Sequence, residues 1–180
     1  DREDYDESFN HWRGGIQGVT AMDTIPGYTP PVVVGYINYG EVDMWGLDAS
    51  LTALLNLEWS IDANYSYLGM NEFLNPITNA MDPINAPRHK MGMKLQYNSR
   101  RLPITGSLNA RYVDGFNWSS GIYFGEIKPY TLFDVHFGYK FNDNLKANFT
   151  ITNLLNHYHT EIIGGPSLGR VLLLRMQTTF

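Results

Sequence analysis

The segment Leu168-Gly169-Arg170-Val171-Leu172-Leu173-Leu174-Arg175-Met176-Gln177-Thr178-Thr179-Phe180 decides the fold. Taken alternately, Leu172, Leu174, Met176, Thr178 and Phe180 fall on one side, and Val171, Leu173, Arg175, Gln177 and Thr179 on the other. Strand side chains alternate between two faces, so this is a strand with one mostly apolar face and one that turns polar towards its end. It carries no glycine or proline after Gly169. A soluble domain normally lets its last residues fray into water. A strand that stays greasy to a final aromatic suits the closing edge of a barrel in lipid.

Upstream, the same two-residue period repeats. A long first strand over 32–55 ends with Trp45, Leu47, Ala49, Leu51 and Ala53 facing away from Gly46, Asp48, Ser50 and Thr52. The second sets Trp59, Ile61, Ala63, Tyr65 and Tyr67 against Ser60, Asp62, Asn64 and Ser66, and the third His89, Met91, Met93, Leu95 and Tyr97 against Lys90, Gly92, Lys94 and Gln96. The fourth opposes Ile104, Leu108, Ala110 and Tyr112 to Thr105, Ser107, Asn109 and Arg111. The fifth opposes Phe133, Val135, Phe137, Tyr139 and Phe141 to Asp134, His136, Gly138 and Lys140, and the sixth Leu145, Ala147, Phe149 and Ile151 to Lys146, Asn148, Thr150 and Thr152. With the terminal strand this makes about seven strands, each long enough for the roughly 9–11 tilted residues that cross a bilayer.

The connections alternate short and long. Short turns follow the first, third and fifth strands. Longer, glycine- and proline-bearing segments lie at about 69–88, 114–129 and 156–168. Residues 1–31 read as a further irregular loop segment, with Asp1, Glu3, Asp4, Asp6 and Glu7 in front and no recognisable calcium-ligand spacing. Outer-membrane barrels have short periplasmic turns and longer extracellular loops, so the rhythm fits that architecture. Aromatics near strand ends, namely Trp45, Trp59, Tyr65, Tyr67, Tyr97, Tyr112, Tyr139 and Phe141, suit the interfacial girdles of such a wall. A soluble β-sandwich would alternate in the same way, and strand length and loop rhythm argue against it.

Composition narrows the function classes. Of 180 residues, 43% are hydrophobic, 14% aromatic and only 17% charged, with a net charge of −5. An acidic balance without clustered Lys and Arg speaks against a nucleic-acid partner. Absence of cysteine excludes disulfides, thiolate zinc and a cysteine nucleophile. No apolar run approaches the roughly 18 residues of a membrane helix. The chain shows no initial Met and no basic-then-apolar leader, so an exported protein of this sequence is expected to be a piece of a longer precursor.

Several stretches resemble one known family, the TonB-dependent outer-membrane receptors of bacteria. Asn38-Tyr39-Gly40-Glu41-Val42 with Gly46-Leu47-Asp48 is similar to the family's N-x-G-x-(A/V)-x-x-x-G-x-E stretch, with Asp48 where the family has Glu. Asn64-Tyr65-Ser66-Tyr67, Asn85-Ala86-Pro87-Arg88-His89-Lys90, and Asn153-Leu154-Leu155-Asn156 with Tyr158 resemble successive strand motifs. Gly165-Pro166-Ser167-Leu168-Gly169-Arg170 leads into an ending that resembles receptors of Bacteroidota, where a terminal Phe, here Phe180, is read by the barrel-assembly machinery. The resemblance implies an all-β fold: a transmembrane antiparallel β-barrel of which this chain supplies about the last seven of 22 strands around a plug. The barrel's N-terminal strands and the plug domain are expected on another chain, whether by proteolysis or as a separate gene product. Other implied partners are the TonB complex, acting through the plug, the outer-membrane lipid and lipopolysaccharide, with long loops extracellular and the C-terminus periplasmic. The implied activity is energised nutrient uptake of the siderophore, cobalamin, glycan or peptide class, without cofactor or enzymatic step. A passive porin is the alternative.

Candidate site residues follow from face and loop. Asp48, Asp62, Lys94, Arg111, Asp134, His136, Lys146 and Arg175 are expected to line the lumen and face the plug, and Trp118, Tyr123, Phe124, His157, Tyr158 and His159 to contact substrate. His157-x-His159 lacks a third metal ligand, and Gly165-Pro166-Ser167-Leu168-Gly169 matches the G-x-S-x-G hydrolase elbow without the helix and downstream acid and His that the elbow needs.

Overall fold

The computed structural model describes residues 42–75, 79–120 and 123–179. The expected loop at 1–31, the first part of the long first strand with Asn38-Tyr39-Gly40-Glu41, and Phe180 lie outside the described residues. Seven strands form one antiparallel sheet: β1 (Gly46–Leu54), β2 (Trp59–Leu68), β5 (His89–Asn98), β6 (Ile104–Val113), β9 (Tyr130–Lys140), β10 (Leu145–Thr152) and β11 (Val171–Thr178). Their order in the sheet is their order in the chain, and the order is open, with β1 and β11 at its two ends. No helix is long and apolar enough to cross a membrane among the described residues, which says nothing of strands.

The seven strands match the periodicity of the sequence; two connections do not behave as plain loops. Between β2 and β5, β3 (Glu72–Leu74) pairs with β4 (Met81–Pro83), and between β6 and β9, β7 (Phe116–Ser120) pairs with β8 (Tyr123–Ile127). Phe116-Asn117-Trp118 and Tyr123-Phe124-Gly125-Glu126-Ile127 do alternate, but Gly115, Gly121 and Pro129 around them read as punctuation. Among the described residues the first strand runs from Gly46, since Val42–Trp45 are not in strand conformation. β9 starts earlier than its periodicity suggested, at Tyr130, and β11 later, at Val171.

Each short turn is closed by a side chain of its own. Asn56 Oδ1 accepts the Glu58 and Trp59 N–H groups at 2.8 and 2.9 Å. Ser99 Oγ accepts from Arg101 and Leu102 at 3.3 and 3.0 Å. Asn142 Oδ1 accepts from Asn144 at 2.9 Å. Asn and Ser satisfy turn amides locally, which is why they stand where strands reverse. Lys140 Nζ reaches Asp143 Oδ1 at 2.6 Å across the third turn and holds that exposed carboxyl below its usual range.

Register gives the sheet two unlike faces. Ala53, Ile61, Leu95, Leu108, Val135, Ile151 and Leu172 are paired in turn across all seven strands. The adjacent row on the other face is Thr52, Asp62, Lys94, Asn109 and Asp134. The apolar face is bare: Leu51, Met93 and Leu174 are 63%, 51% and 65% exposed. A sandwich would bury this face against a second sheet. Among the described residues the buried apolar cluster lies on the opposite side, where Val113, Tyr130 and Leu132 meet Phe116 and Ile127 of the β7–β8 hairpin. The ten residues of β2 at about 3.3 Å each, tilted by about 40°, span about 25 Å, the height of an outer-membrane apolar band.

Two glycines test the register. A Cβ on Gly46 would stand 2.8 Å from the Tyr67 carbonyl oxygen, whereas one on Gly106 meets nothing nearer than His136 O at 3.6 Å. Gly46→Ala is therefore expected to destabilise by about 1–2 kcal/mol and Gly106→Ala to stay within about 0.5 kcal/mol, compared by thermal unfolding in detergent.

Candidate functional site

The polar face brings the predicted wall residues onto one side. Asp48 is in register with Ser66, which pairs with Lys90. In the row below, Asp62 and Lys94 are paired neighbours, and Lys94 is followed by Asn109 and Asp134. Thr52 Oγ1 donates to Asp62 Oδ1 at 2.7 Å, and Asn109 Nδ2 to Asp134 Oδ2 at 3.2 Å. His136 Nδ1 lies 3.1 Å from Thr150 Oγ1. Towards the short turns, Lys146 stands opposite Lys140 and Gln177, and Arg175 opposite Asn148. The face is thus hydroxyl- and amide-rich, with an opposite-charge pair, Asp62 and Lys94, and a like-charge pair, Lys146 and Lys140, set among neutral groups. Gly92 and Gly138 leave room for it, since Asn64 and Thr105 side chains occupy the space a Cβ would take.

Aromatics sit at both ends of the strands. Trp59 and Tyr97 meet with centroids 4.7 Å apart, and Tyr139 and Phe141 at 4.8 Å, beside the short turns. At the opposite end Trp45 meets Tyr67 edge-on at 5.3 Å, Tyr65 Oη lies 2.9 Å from His89 Nδ1, and Tyr112 Oη donates to Asp114.

The long connections are folded onto the polar face. On the β7–β8 hairpin, paired residues share a face, so Phe116, Trp118, Ile127 and Tyr123 turn inward. Ile163 packs on that cluster and fills the space beside Gly125, and Gly164, with φ of 84°, lies under the Tyr123 ring. Phe124 points the other way and is 79% exposed. The 153–170 connection is held by Asn153, 3% exposed, whose Nδ2 donates to His157 O at 2.8 Å and whose Oδ1 accepts the His157 N–H at 2.9 Å. Buried His159 packs at a tilt against the Tyr130 ring, centroids 4.5 Å apart, with Nδ1 3.2 Å from His157 O and Nε2 3.2 Å from Glu161 Oε1. Glu161 also reaches Arg111 of β6 at 3.5 Å.

The six expected contact residues therefore part company. Tyr123, Phe124, His157 and Tyr158 keep exposed surface, while Trp118 and His159 are packed against the wall. Trp118 Nε1 is buried with no hydrogen-bond partner among the described residues. No three His, Asp or Glu side chains converge on a metal position among the described residues. Ser167 Oγ donates to His159 O at 3.5 Å and is followed by a strand, not the helix of a hydrolase elbow. Asn153, Glu161 and Asn85 carry the loop geometry. The asparagines stood in recognisable motifs; nothing in its neighbours marks Glu161.

A family profile described as TonB dependent receptor-like, β-barrel, matches residues 12–154. The chain belongs to the TonB-dependent receptor β-barrel family. Its seven strands are wall of an antiparallel transmembrane β-barrel of the bacterial outer membrane. Solved structures show the same fold. The ferric-catecholate import receptor Fiu of E. coli K12 superposes with a TM-score of 0.60 at 19% identity, over 76% of this chain and 21% of that one. The copper transporter OprC gives 0.62 at 18%, over 76% and 23%. The ferric enterobactin receptor PfeA of Pseudomonas aeruginosa, in complex with enterobactin, gives 0.62 at 15%, over 83% and 24%. The chain thus spans between a fifth and a quarter of these receptors. No curated protein sequence matches it significantly.

Substitutions at two positions separate packing from contact. Asn153→Ala removes two part-buried hydrogen bonds to the His157 backbone and leaves an alanine at a φ of 55°, so it is expected to destabilise by about 3 kcal/mol, read by thermal unfolding of the receptor. Trp118→Phe removes an unpaired N–H and part of a packed ring and should cost about 1 kcal/mol, whereas Trp118→Ala should cost about 3 kcal/mol.

Proposed function

We propose that this chain is the C-terminal wall of an energised importer that takes up a scarce nutrient across the outer membrane. The supporting observation is the pairing of an uncovered apolar row with a polar row that runs alongside it, roofed at one end by folded connections. A polar inner face suits a hydrated plug domain. On this proposal Asp48, Asp62, Lys94, Arg111, Asp134, His136, Lys146 and Arg175 line the lumen, and the end aromatics form the two lipid-interface girdles. The long connections are extracellular and the short turns periplasmic. Tyr123, Phe124, His157 and Tyr158 offer half-polar rings to a ligand above the wall.

Energy comes from the TonB complex acting on the plug, and the remaining strands close the barrel. The barrel-assembly machinery inserts the wall among lipid and lipopolysaccharide. The similar structures are import receptors for ferric catecholates and a copper transporter, which favours a metal-chelate substrate over cobalamin, glycan or peptide. No step of covalent chemistry is needed.

The test is uptake by cells that lack their own importers and express the complete receptor. Ferric catecholate, a ferric pyoverdine, a copper chelate, cobalamin, an oligosaccharide and a peptide are supplied in turn. At least one should accumulate, and accumulation should stop when a protonophore collapses the proton gradient. Uptake of none of them, or uptake insensitive to the protonophore, overturns the proposal.

A further inference from the structure

The motif asparagines Asn85 and Asn153 share an unusual geometry. Their φ angles are 60° and 55°, in the left-handed region that Asn tolerates better than most residues. In each, the carboxamide binds both backbone groups of one other residue, four positions on for Asn153 and 34 for Asn85. Asn85 Nδ2 donates to Ser119 O at 2.7 Å, and the Ser119 N–H donates to Asn85 Oδ1 at 2.8 Å. Asn153 does the same to His157.

A residue on a strand edge presents one N–H and one C=O side by side. A carboxamide presents one acceptor and one donor at matching separation, so Asn85 stands in for one residue of a third strand on the free edge of β7. The residue it grips is directly opposite Phe124, and Ser120 beside it is opposite Tyr123. Asn85 is itself a fixed post. On one side of it Ile84 N donates to Asn71 O at 2.7 Å, and on the other Arg88 O accepts from Leu68 N at 2.8 Å, at the end of β2. A second tie two residues along joins Asn117 Nδ2 to Glu72 Oε1 at 2.6 Å.

We propose that Asn85 is a positioning residue that fixes where the Tyr123–Phe124 tip stands over the wall. It links the connection after β2 to the hairpin after β6, so the two move as one body. Any consequence for substrate rests on the contact role proposed above for Tyr123 and Phe124; the clamp does not.

The experiment uses the complete receptor with spin labels at Phe124→Cys and Leu57→Cys, one at the tip and one on a short turn, any native cysteines elsewhere being replaced. Pulsed dipolar spectroscopy should give one narrow distance distribution. Asn85→Gly keeps the left-handed backbone and removes the carboxamide, and should widen the distribution about twofold while thermal unfolding of the barrel is unchanged. Ser119→Ala should leave it narrow, because both gripped groups are backbone. Asn85→Asp keeps the acceptor and turns a second oxygen towards the Ser119 carbonyl, so it should widen the distribution at neutral pH even if Asn85→Gly fails to fold. A narrow distribution in Asn85→Gly, or in Asn85→Asp at neutral pH, overturns the proposal, as does equal widening by Ser119→Ala. Unchanged binding of a transported compound by a variant whose tip has widened would instead refute the contact role and leave the clamp standing.

Discussion

Lipid offers no hydrogen bonds, so a strand crossing it must have every N–H and C=O answered by a neighbouring strand; each failure costs several kcal/mol. This constraint sets the meander from β1 to β11. Once pairing is obligatory, a slip of one residue exchanges the two faces of a strand. The row from Ala53 to Leu172 shows the outcome: seven strands, each contributing an apolar residue at the same level. A single slipped strand would put a residue such as Lys94 into that row, where a positive charge costs about 2–4 kcal/mol near the bilayer midplane. Register and polarity therefore enforce one another. The short turns contribute by closing on Asn56, Ser99 and Asn142, so that each hairpin starts in the correct phase.

The other end of the wall is organised by a different force. Val113, Tyr130 and Leu132 are apolar residues on the otherwise polar face, at the ends of β6 and β9. Left open they would meet water. The β7–β8 hairpin turns Phe116, Trp118 and Ile127 onto them, and Ile163 completes the cover. A small hydrophobic core thus fastens two long connections to the wall while leaving Phe124 and Tyr158 outside. Burial of several apolar side chains at about 1.5–3 kcal/mol each is enough to order loops that would otherwise sample many conformations.

Most of the wall was legible because its signal is a period of two sustained over eight to eleven residues in each of seven strands. Strand ends moved by a few residues where a proline or a cluster residue, such as Pro129 before Tyr130, intervened. The hairpins were less legible for two different reasons. β3 and β4 have three residues each, too few to show a period. β7 and β8 do alternate, yet the glycines and proline around them read as loop. The polar face was legible residue by residue, since parity alone assigns Asp62, Lys94 and Asp134 to one side. The loop contacts were not. Trp118 and Tyr123 look alike as loop aromatics, and only the pairing of Trp118 with Gly125, which admits Ile163, decides that Trp118 is packed. Asn85 and Asn153 could be picked out as motif residues, but a partner 34 residues away along the chain is invisible to local pattern.

What holds the loops down can be ranked by magnitude. Arg111 and Glu161 form an ion pair at 3.5 Å with side chains 47% and 37% exposed, and exposed pairs contribute about 0–1 kcal/mol. Asn153 is 3% exposed and makes two part-buried hydrogen bonds to one residue, each contributing about 0.5–1.5 kcal/mol. The neutral clamp outweighs the charged one, and the apolar cluster outweighs both. Salt screens ion pairs and leaves carboxamide bonds and hydrophobic contacts largely untouched. Loops held this way keep their geometry across large changes in ionic strength.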